Sequence, residues 1–367
     1  MLLCSDGLWY IDWIAGILSV SLGYGYERVH RAVRQRDVDG VNFSLPTQIE
    51  SEVAQRLDQW CPGYQSVRYG KNGSDVLAAA VRMARMMTGR TRIIICGTYH
   101  GWADWCQPTK AGVPKPVAQL TRVMTASEKL SDVIAEEPPA AIVVAPGDGA
   151  HPRLSDELLR EIRMCANRAQ ALMIADEICT GFRYPHGLMH TVGVHPDVLC
   201  VGKGMGNGYA VSALLSVYPL EDLCIRGGYS LTMGGETLSL TAAVATVDVH
   251  LEEPVIDKHY ELGCLLWQGL TEIIKSYKLE EHAWLDGTPQ WFGLKFSTGQ
   301  VEGPYDPSKV DAGDWMKFLW RRTMANYGVL IGMTFNTMYA HSRLHVHQTL
   351  EAAKKAMGAI AVKLEAK

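Results

Sequence analysis

No C-x-x-C spacing occurs among the nine cysteines, Cys4, Cys61, Cys96, Cys106, Cys165, Cys179, Cys200, Cys224 and Cys264, which stand singly and are odd in number. That pattern reads as reduced thiols in a cytoplasmic protein. An excess of positive charge is lacking too: 35 Lys and Arg against 39 Asp and Glu leave a net charge of -4, with no electrostatic pull towards nucleic acid. No run is long enough to span a bilayer, since the apolar stretch Ile14 to Leu22 is too short. The start, Met1-Leu-Leu-Cys-Ser-Asp6, has no basic n-region, so neither export nor membrane anchoring is expected. Internal repeats and low-complexity segments are also absent. What is left is a chain of 367 residues, 47% hydrophobic and 20% charged. It is too long for a small stapled scaffold and long enough for about two domains. The partners to expect are small molecules.

The apolar residues fall into alternating helix and strand patterns. Val76, Ala79, Ala80, Met83, Ala84 and Met87 recur at helical spacing after Asn72-Gly73-Ser74, and Thr88-Gly89-Arg90 closes the run. This predicts an amphipathic helix with Ser74 marking its start. Short apolar runs follow at Arg92 to Cys96, Ala140 to Val144, Ala171 to Ala175, Val198 to Val201 and Ala210 to Val217. Most are continuous rather than alternating, as strands covered on both faces are. A helical segment from Asp156 to Ala169 between the second and third makes at least one strand–helix–strand unit. After two long helical stretches, Leu238 to Glu253 and Tyr260 to Tyr277, shorter strand-like pieces and a closing helix from Gln348 to Leu364 mark a smaller second domain.

In parallel α/β sheets, ligands sit outside the carboxyl ends of the strands. Asp176 closes Ala171-Leu-Met-Ile-Ala-Asp-Glu, and Lys203 follows Val198-Leu-Cys-Val-Gly, 27 residues on. That is about one crossover, so the two face one crevice. An amine and a carboxylate there suit pyridoxal phosphate (PLP) chemistry: the amine forms a Schiff base and later shuttles the proton on the substrate carbon. Asp176, held against the pyridine nitrogen, keeps it protonated. The bland alternative is a structural ion pair. The helix start Asn72-Gly73-Ser74-Asp75 offers backbone N–H groups and a hydroxyl to a phosphate, against the alternative that Ser74 merely caps its helix. Tyr99 in Tyr99-His100-Gly101 stands at another strand end and can stack on a planar cofactor, where the alternative is a core tyrosine. Gly202-Lys203-Gly204-Met205-Gly206-Asn207-Gly208 is not a dinucleotide fingerprint, since it leads into a strand rather than a helix. His341, His345 and His347 read as surface helix histidines, not metal ligands.

Together these residues resemble the class III aminotransferases of PLP fold type I, especially the branch around glutamate-1-semialdehyde 2,1-aminomutase. The resemblance rests on Asp6-Gly7-Leu-Trp-Tyr10-Ile-Asp12, Gly73-Ser74-Asp75, Ala80-Val-Arg82-Met-Ala-Arg85, Thr88-Gly89-Arg90, Tyr99-His100-Gly101, Asp176-Glu177-Ile-Cys-Thr180-Gly181-Phe182-Arg183, Gly193-Val-His-Pro196-Asp197, Gly202-Lys203-Gly204 and Thr232-Met-Gly234-Gly235. It implies a large PLP-binding domain over 45–253 with a mostly parallel sheet between helices. A smaller α/β domain comes from the two chain ends, 1–44 and 254–367. It also implies Lys203 as the Schiff-base lysine, Asp176 as the pyridinium partner, Tyr99 as the stacking ring and Gly73 with Ser74 as the phosphate turn. Thr232 is similar to a threonine that reaches the neighbouring subunit's cofactor phosphate, so a homodimer with shared sites is implied.

Departures narrow the substrate. The glutamate of aminomutases is replaced by Asn336 in Met333-Thr-Phe-Asn336, and the glycine-rich stretch after the lysine reads Gly206-Asn207-Gly208-Tyr209-Ala210. Ala145-Pro146 stands where many relatives have Glu-Pro, the arginine that holds substrate in the ornithine and 4-aminobutyrate branches has no clear match, and the chain begins at the family's Asp-Gly motif. The expectation is a transaminase that moves an amino group from a donor such as glutamate to a carbonyl acceptor. The alternatives are an intramolecular aminomutase and a scaffold that has lost catalysis.

Overall fold

A computed structural model describes residues 1–97, 101–125, 127–147, 153–297, 314–332 and 334–366. In chain order the strands are β1 (Leu2–Leu3), β2 (Trp9–Asp12), β3 (Ser66–Gly70), β4 (Ile93–Cys96), β5 (Thr121–Val123), β6 (Ala141–Val144), β7 (Leu172–Glu177), β8 (Val198–Val201), β9 (Ser212–Ser216), β10 (Ala283–Thr288), β11 (Trp291–Phe296), β12 (Val329–Leu330) and β13 (Phe335–Asn336). Strands β3 to β9 form one sheet in the order β3-β9-β8-β7-β6-β4-β5. From β5 to β8 every pairing is parallel, and β9 runs antiparallel to both β8 and β3.

Every residue of β4, β6, β7 and β8 is buried, which is why these strands read as apolar runs, β7 as far as Ala175. Alternation along each strand divides their side chains between two cores. Ile93, Ile95, Val143, Leu172, Ile174, Val198 and Cys200 pack with the Gly73–Thr88 helix on one face. Ile94, Ile142, Val144, Met173, Ala175, Leu199 and Val201 pack on the other with the Gln48–Trp60, Asp156–Ala169 and Thr237–Glu252 helices. The crossover helix Asp156–Ala169 occupies the residues expected of it: Ser155 Oγ accepts from Leu158 N at 3.1 Å, and Gln170 ends the helix in a left-handed conformation with φ 51°.

The chain divides into two compact units. The described residues of Gly25–Gly147 and Arg153–Pro254 make the larger, and those of Met1–Tyr24 and Val255–Lys367 the smaller. The smaller unit therefore takes its N-terminal piece only to Tyr24, not to residue 44. The reason is the Glu27–Asp37 helix, whose Val29 and Val33 are buried and which packs on the Thr237–Glu252 helix, where Arg28 pairs with Glu252 and Asp248.

Within the smaller unit the two chain ends share a sheet. β2 pairs antiparallel with β1 and parallel with β12, while the β10–β11 hairpin carries β13. Its core gathers Trp13, Leu266, Phe292, Phe335 and Met357. His341 is no surface helix residue: the final helix, Arg343–Glu365, starts after it, and the buried ring accepts from Met338 N at 3.0 Å and lies 3.1 Å from the Asp12 carbonyl. His345 and His347 are on that helix, half-buried and exposed respectively.

Candidate active site

The site is built where β7 and β8 end side by side. Asp176 pairs in register with Cys200 and Glu177 with Val201, so Lys203 emerges two residues beyond the strand that borders Asp176. Asp176 follows Leu172 and Ile174 in the alternation and points to the face that carries the Gly73–Thr88 helix. It is 7% exposed, and its Oδ1 accepts from Ile178 N at 3.2 Å. Lys203 opens the turn Lys203–Gly206 with φ 43°, a left-handed conformation that costs a non-glycine residue about 1–2 kcal/mol. Strain of this kind is held in place by its surroundings and concentrates at functional sites. The Lys203 ammonium donates to Cys179 Sγ at 2.9 Å.

Ile178 ties the helix start to the lysine. A Cβ on Gly73 would lie 2.8 Å from Ile178 Cγ1, and one on Gly202 would lie 3.3 Å from Ile178 Cδ1. Gly73 therefore lets the helix N-terminus close against the segment that follows Asp176. The cap of this helix is not Ser74. Asn72 is the residue before the first turn, and the Asp75 carboxylate accepts from Lys71 N at 2.9 Å and Asn72 N at 2.8 Å. Ser74 lies in the first turn, with its hydroxyl against Gly101, where a Cβ would collide with it. Tyr99 lies outside the described residues.

Thr232 sits exposed on a turn closed by a bond from Gly234 N to Leu231 O at 2.9 Å. The turn is anchored beside the β3–helix junction. Tyr229 donates to Tyr69 O at 2.8 Å, a Cβ on Gly234 would stand 3.3 Å from Tyr69 O, and Lys71 Nζ pairs with Glu236 at 2.7 Å. One further residue, Cys179, belongs here through its contact with Lys203. Arg183, four residues further on, is wholly buried, with burial pushing its guanidinium down to about 10. Among the described residues no group of three or more His, Cys, Asp or Glu side chains is placed to hold a metal ion.

A mostly parallel sheet of buried strands with helices on both faces, carrying an amine and a buried carboxylate at adjoining strand ends, is the architecture of PLP fold type I. Solved structures share that fold. A PLP form of the FumI protein of Sphingopyxis sp. superposes with a TM-score of 0.85 at 24% identity, over 97% of this chain and 86% of that one. An omega-transaminase from Sphaerobacter thermophilus gives 0.84 at 20% identity, over 96% and 88%. Residues 1–283 match the family aminotransferase class-III, and the chain belongs to it. A glutamate-1-semialdehyde 2,1-aminomutase of Methanocella arvoryzae is 29% identical over 381 aligned residues, 97% of this chain and 89% of that protein. The protein is thus a PLP-dependent enzyme of amino-group transfer. The chemistry of the donor set agrees: an amine, a buried carboxylate and a helix N-terminus with the Ser74 hydroxyl in its first turn fit this cofactor.

Proposed function

We propose that Lys203 holds PLP covalently through Nζ and that Asp176 pairs with its pyridine nitrogen. The cofactor supplies a carbonyl carbon that carries amino groups and a ring that accepts an electron pair. Lys203, once released, takes the proton from the substrate carbon and returns it. The Asp176 carboxylate stabilises positive charge on the ring nitrogen from a buried position, where a charge acts strongly. Gly73 and Ser74 hold the phosphate at the start of the Gly73–Thr88 helix. Asn72 and Asp75 already form that helix's capping box, which leaves the Ser74 hydroxyl for a ligand. Tyr99 stacks on the ring, and Thr232 reaches the phosphate of a second copy, so the working unit is a homodimer. The observation that carries the reading is the β7–β8 register, which sets Asp176 and Lys203 at neighbouring strand ends.

The substrates we propose are an amino donor such as glutamate and a carbonyl acceptor, in the cytoplasm, a location supported by nine cysteines all free of disulfides. The Methanocella arvoryzae relative favours a second reading, transfer within one molecule as in glutamate-1-semialdehyde 2,1-aminomutase. Against it, the relevant position carries the amide Asn336, whose Nδ2 donates to Ile14 O at 2.8 Å and whose Oδ1 accepts from Thr334. Borohydride reduction of the yellow holoenzyme followed by peptide mapping should label Lys203, and a label on any other lysine overturns the assignment. Turnover of a single substrate with no added 2-oxo acid would establish the aminomutase instead.

A further inference from the structure

We propose that Lys71 is a positioning residue for the cofactor phosphate. Through its ion pair with Glu236 it fixes the Thr232 turn against the start of the Gly73–Thr88 helix, and it cancels the carboxylate charge that stands beside that helix start. This role rests on the reading of Gly73, Ser74 and Thr232 as the phosphate's holders, and deepens it. Lys71 Nζ lies 2.7 Å from Glu236 Oε2, across 165 residues of chain. The two side chains are only 20% and 12% exposed, so salt and water screen the pair little.

Each partner is fixed at its other end. The Lys71 N–H donates to Asp75 at 2.9 Å, in the turn that opens the helix. Glu236 caps the Thr237–Glu252 helix, its carboxylate accepting from Leu238 N at 2.7 Å and from Ser239 N at 3.2 Å. Glu236 N donates to Met233 O at 3.2 Å, which ties that cap to the residue after Thr232. Contacts therefore run from the start of one helix, through the ion pair, to the start of another and the Thr232 turn. The Lys71 charge is no aid to its own helix. Helix N-termini are positive and favour acids, whereas Lys71 brings a cation to the residue before the Asn72 cap. Its charge matches the acids around it instead: Asp75 in the first turn, Glu236, and Glu50, whose carboxylate would lie 3.0 Å from a Cβ on Gly235. Burial acts to raise the Glu236 carboxyl, yet Lys71 and the Ser239 and Leu238 donors hold it below its ordinary value, so it is ionised at neutral pH. Without Lys71 an incoming phosphate would meet that charge unpaired.

The test compares PLP with pyridoxal, which has the same ring and carbonyl carbon but no phosphate. Each is titrated into the full-length chain, freed of cofactor by incubation with an amino acid and dialysis, and followed by visible absorbance. Lys71→Met should weaken PLP by about tenfold or more while leaving pyridoxal within about twofold. Lys71→Arg, which keeps the cation, should restore PLP binding. Lys71→Met joined with Glu236→Gln should recover part of the loss, because the unpaired carboxylate is gone. That double variant carries the comparison should Lys71→Met not fold, with a partial loss for PLP and none for pyridoxal. A merely structural pair would weaken both ligands alike, in step with the urea melts of the cofactor-free variants. Equal losses for the two ligands, or no loss for PLP, overturn the proposal. Ser74→Ala separates the two readings. If it lowers the preference for PLP and Lys71→Met does not, the phosphate turn stands and the role of Lys71 fails; if neither does, both fall.

Discussion

Asp176 and Glu177 are adjacent acids at the end of one strand, and the pleat of β7 sends them to opposite faces of the sheet. Asp176 faces the Gly73–Thr88 helix with Cys200 beside it. Glu177 faces the other core, where its carboxylate accepts from Leu188 N at 2.6 Å, Met189 N at 2.8 Å and Thr180 Oγ1 at 3.0 Å. Gly187 gives it room, since a Cβ there would lie 2.9 Å from either carboxylate oxygen. Behind it is a cavity of about 330 Å³ lined by Tyr64, His186, His190 and His195. One acid is thus committed to the backbone of its own chain, while the other stands at the strand end that borders Lys203. Position at a strand end therefore does not make a carboxylate functional; the face it takes, and the donors waiting there, decide.

The sharpest test of that contrast removes the amine on Asp176's side. Lys203→Ala should lose the covalent link to PLP and slow amino transfer by roughly 10⁴-fold, the upper range for one acid–base group. Adding methylamine or another small amine should recover a part of the rate. Asp176→Asn keeps the size of the side chain and removes its charge, and single-turnover proton abstraction should fall by about 10²- to 10³-fold. Glu177→Gln should leave that rate within a few-fold. Equal losses in the two variants would erase the distinction between the faces.

The faces also differ in what completes them. Glu177's partners come from its own chain, whereas we expect Thr232 to complete the Asp176 face of a second copy. Lys203→Ala and Thr232→Val protomers, each impaired alone, can be mixed and refolded together. With shared sites, half of the dimers are mixed and each has one intact site, so about a quarter of full activity should return. No recovery in a mixture shown to contain mixed dimers would confine Thr232 to its own chain.

How much of this was legible in the sequence follows from which interactions are local. The buried parallel strands declared themselves as apolar runs, with Val198–Val201 found at its expected residues, and so did the crossover helix, whose cap and apolar spacing lie within Ser155 to Gln170. Asp176 and Lys203 were legible because strand ends and a crossover's length are visible locally. The edge strand β3, Ser-Val-Arg-Tyr-Gly, was not: its residues are only partly buried at the start, and its place depends on an antiparallel partner far along the chain. The last helix begins at Arg343 rather than Gln348, because the Ser342 cap and buried Val346 precede the obvious apolar run. Ser74 is not the cap because the Asn72–Asp75 capping box holds that place, and the Cys179–Lys203 contact comes from side-chain geometry that no spacing encodes.

The smallest expected effect concerns Glu177, and it carries a sign. Burial pushes its carboxyl up from 4.5 to about 7, with the Asp176 charge adding and the three donors opposing. A folded-state value above the unfolded one means that this group's contribution to stability is complete below about 4.5 and is lost as pH rises through about 7. Glu177→Gln removes the titration. Its amide must also turn an N–H towards a backbone N–H of Leu188 or Met189, at a cost of about 1–3 kcal/mol. In urea melts the variant should therefore be less stable than the parent at pH 5, and the gap should narrow by pH 8, because only the parent loses stability over that interval. A gap that widens with pH would show that the fold holds the ionised carboxylate, and that the three donors outweigh burial on this face of the sheet.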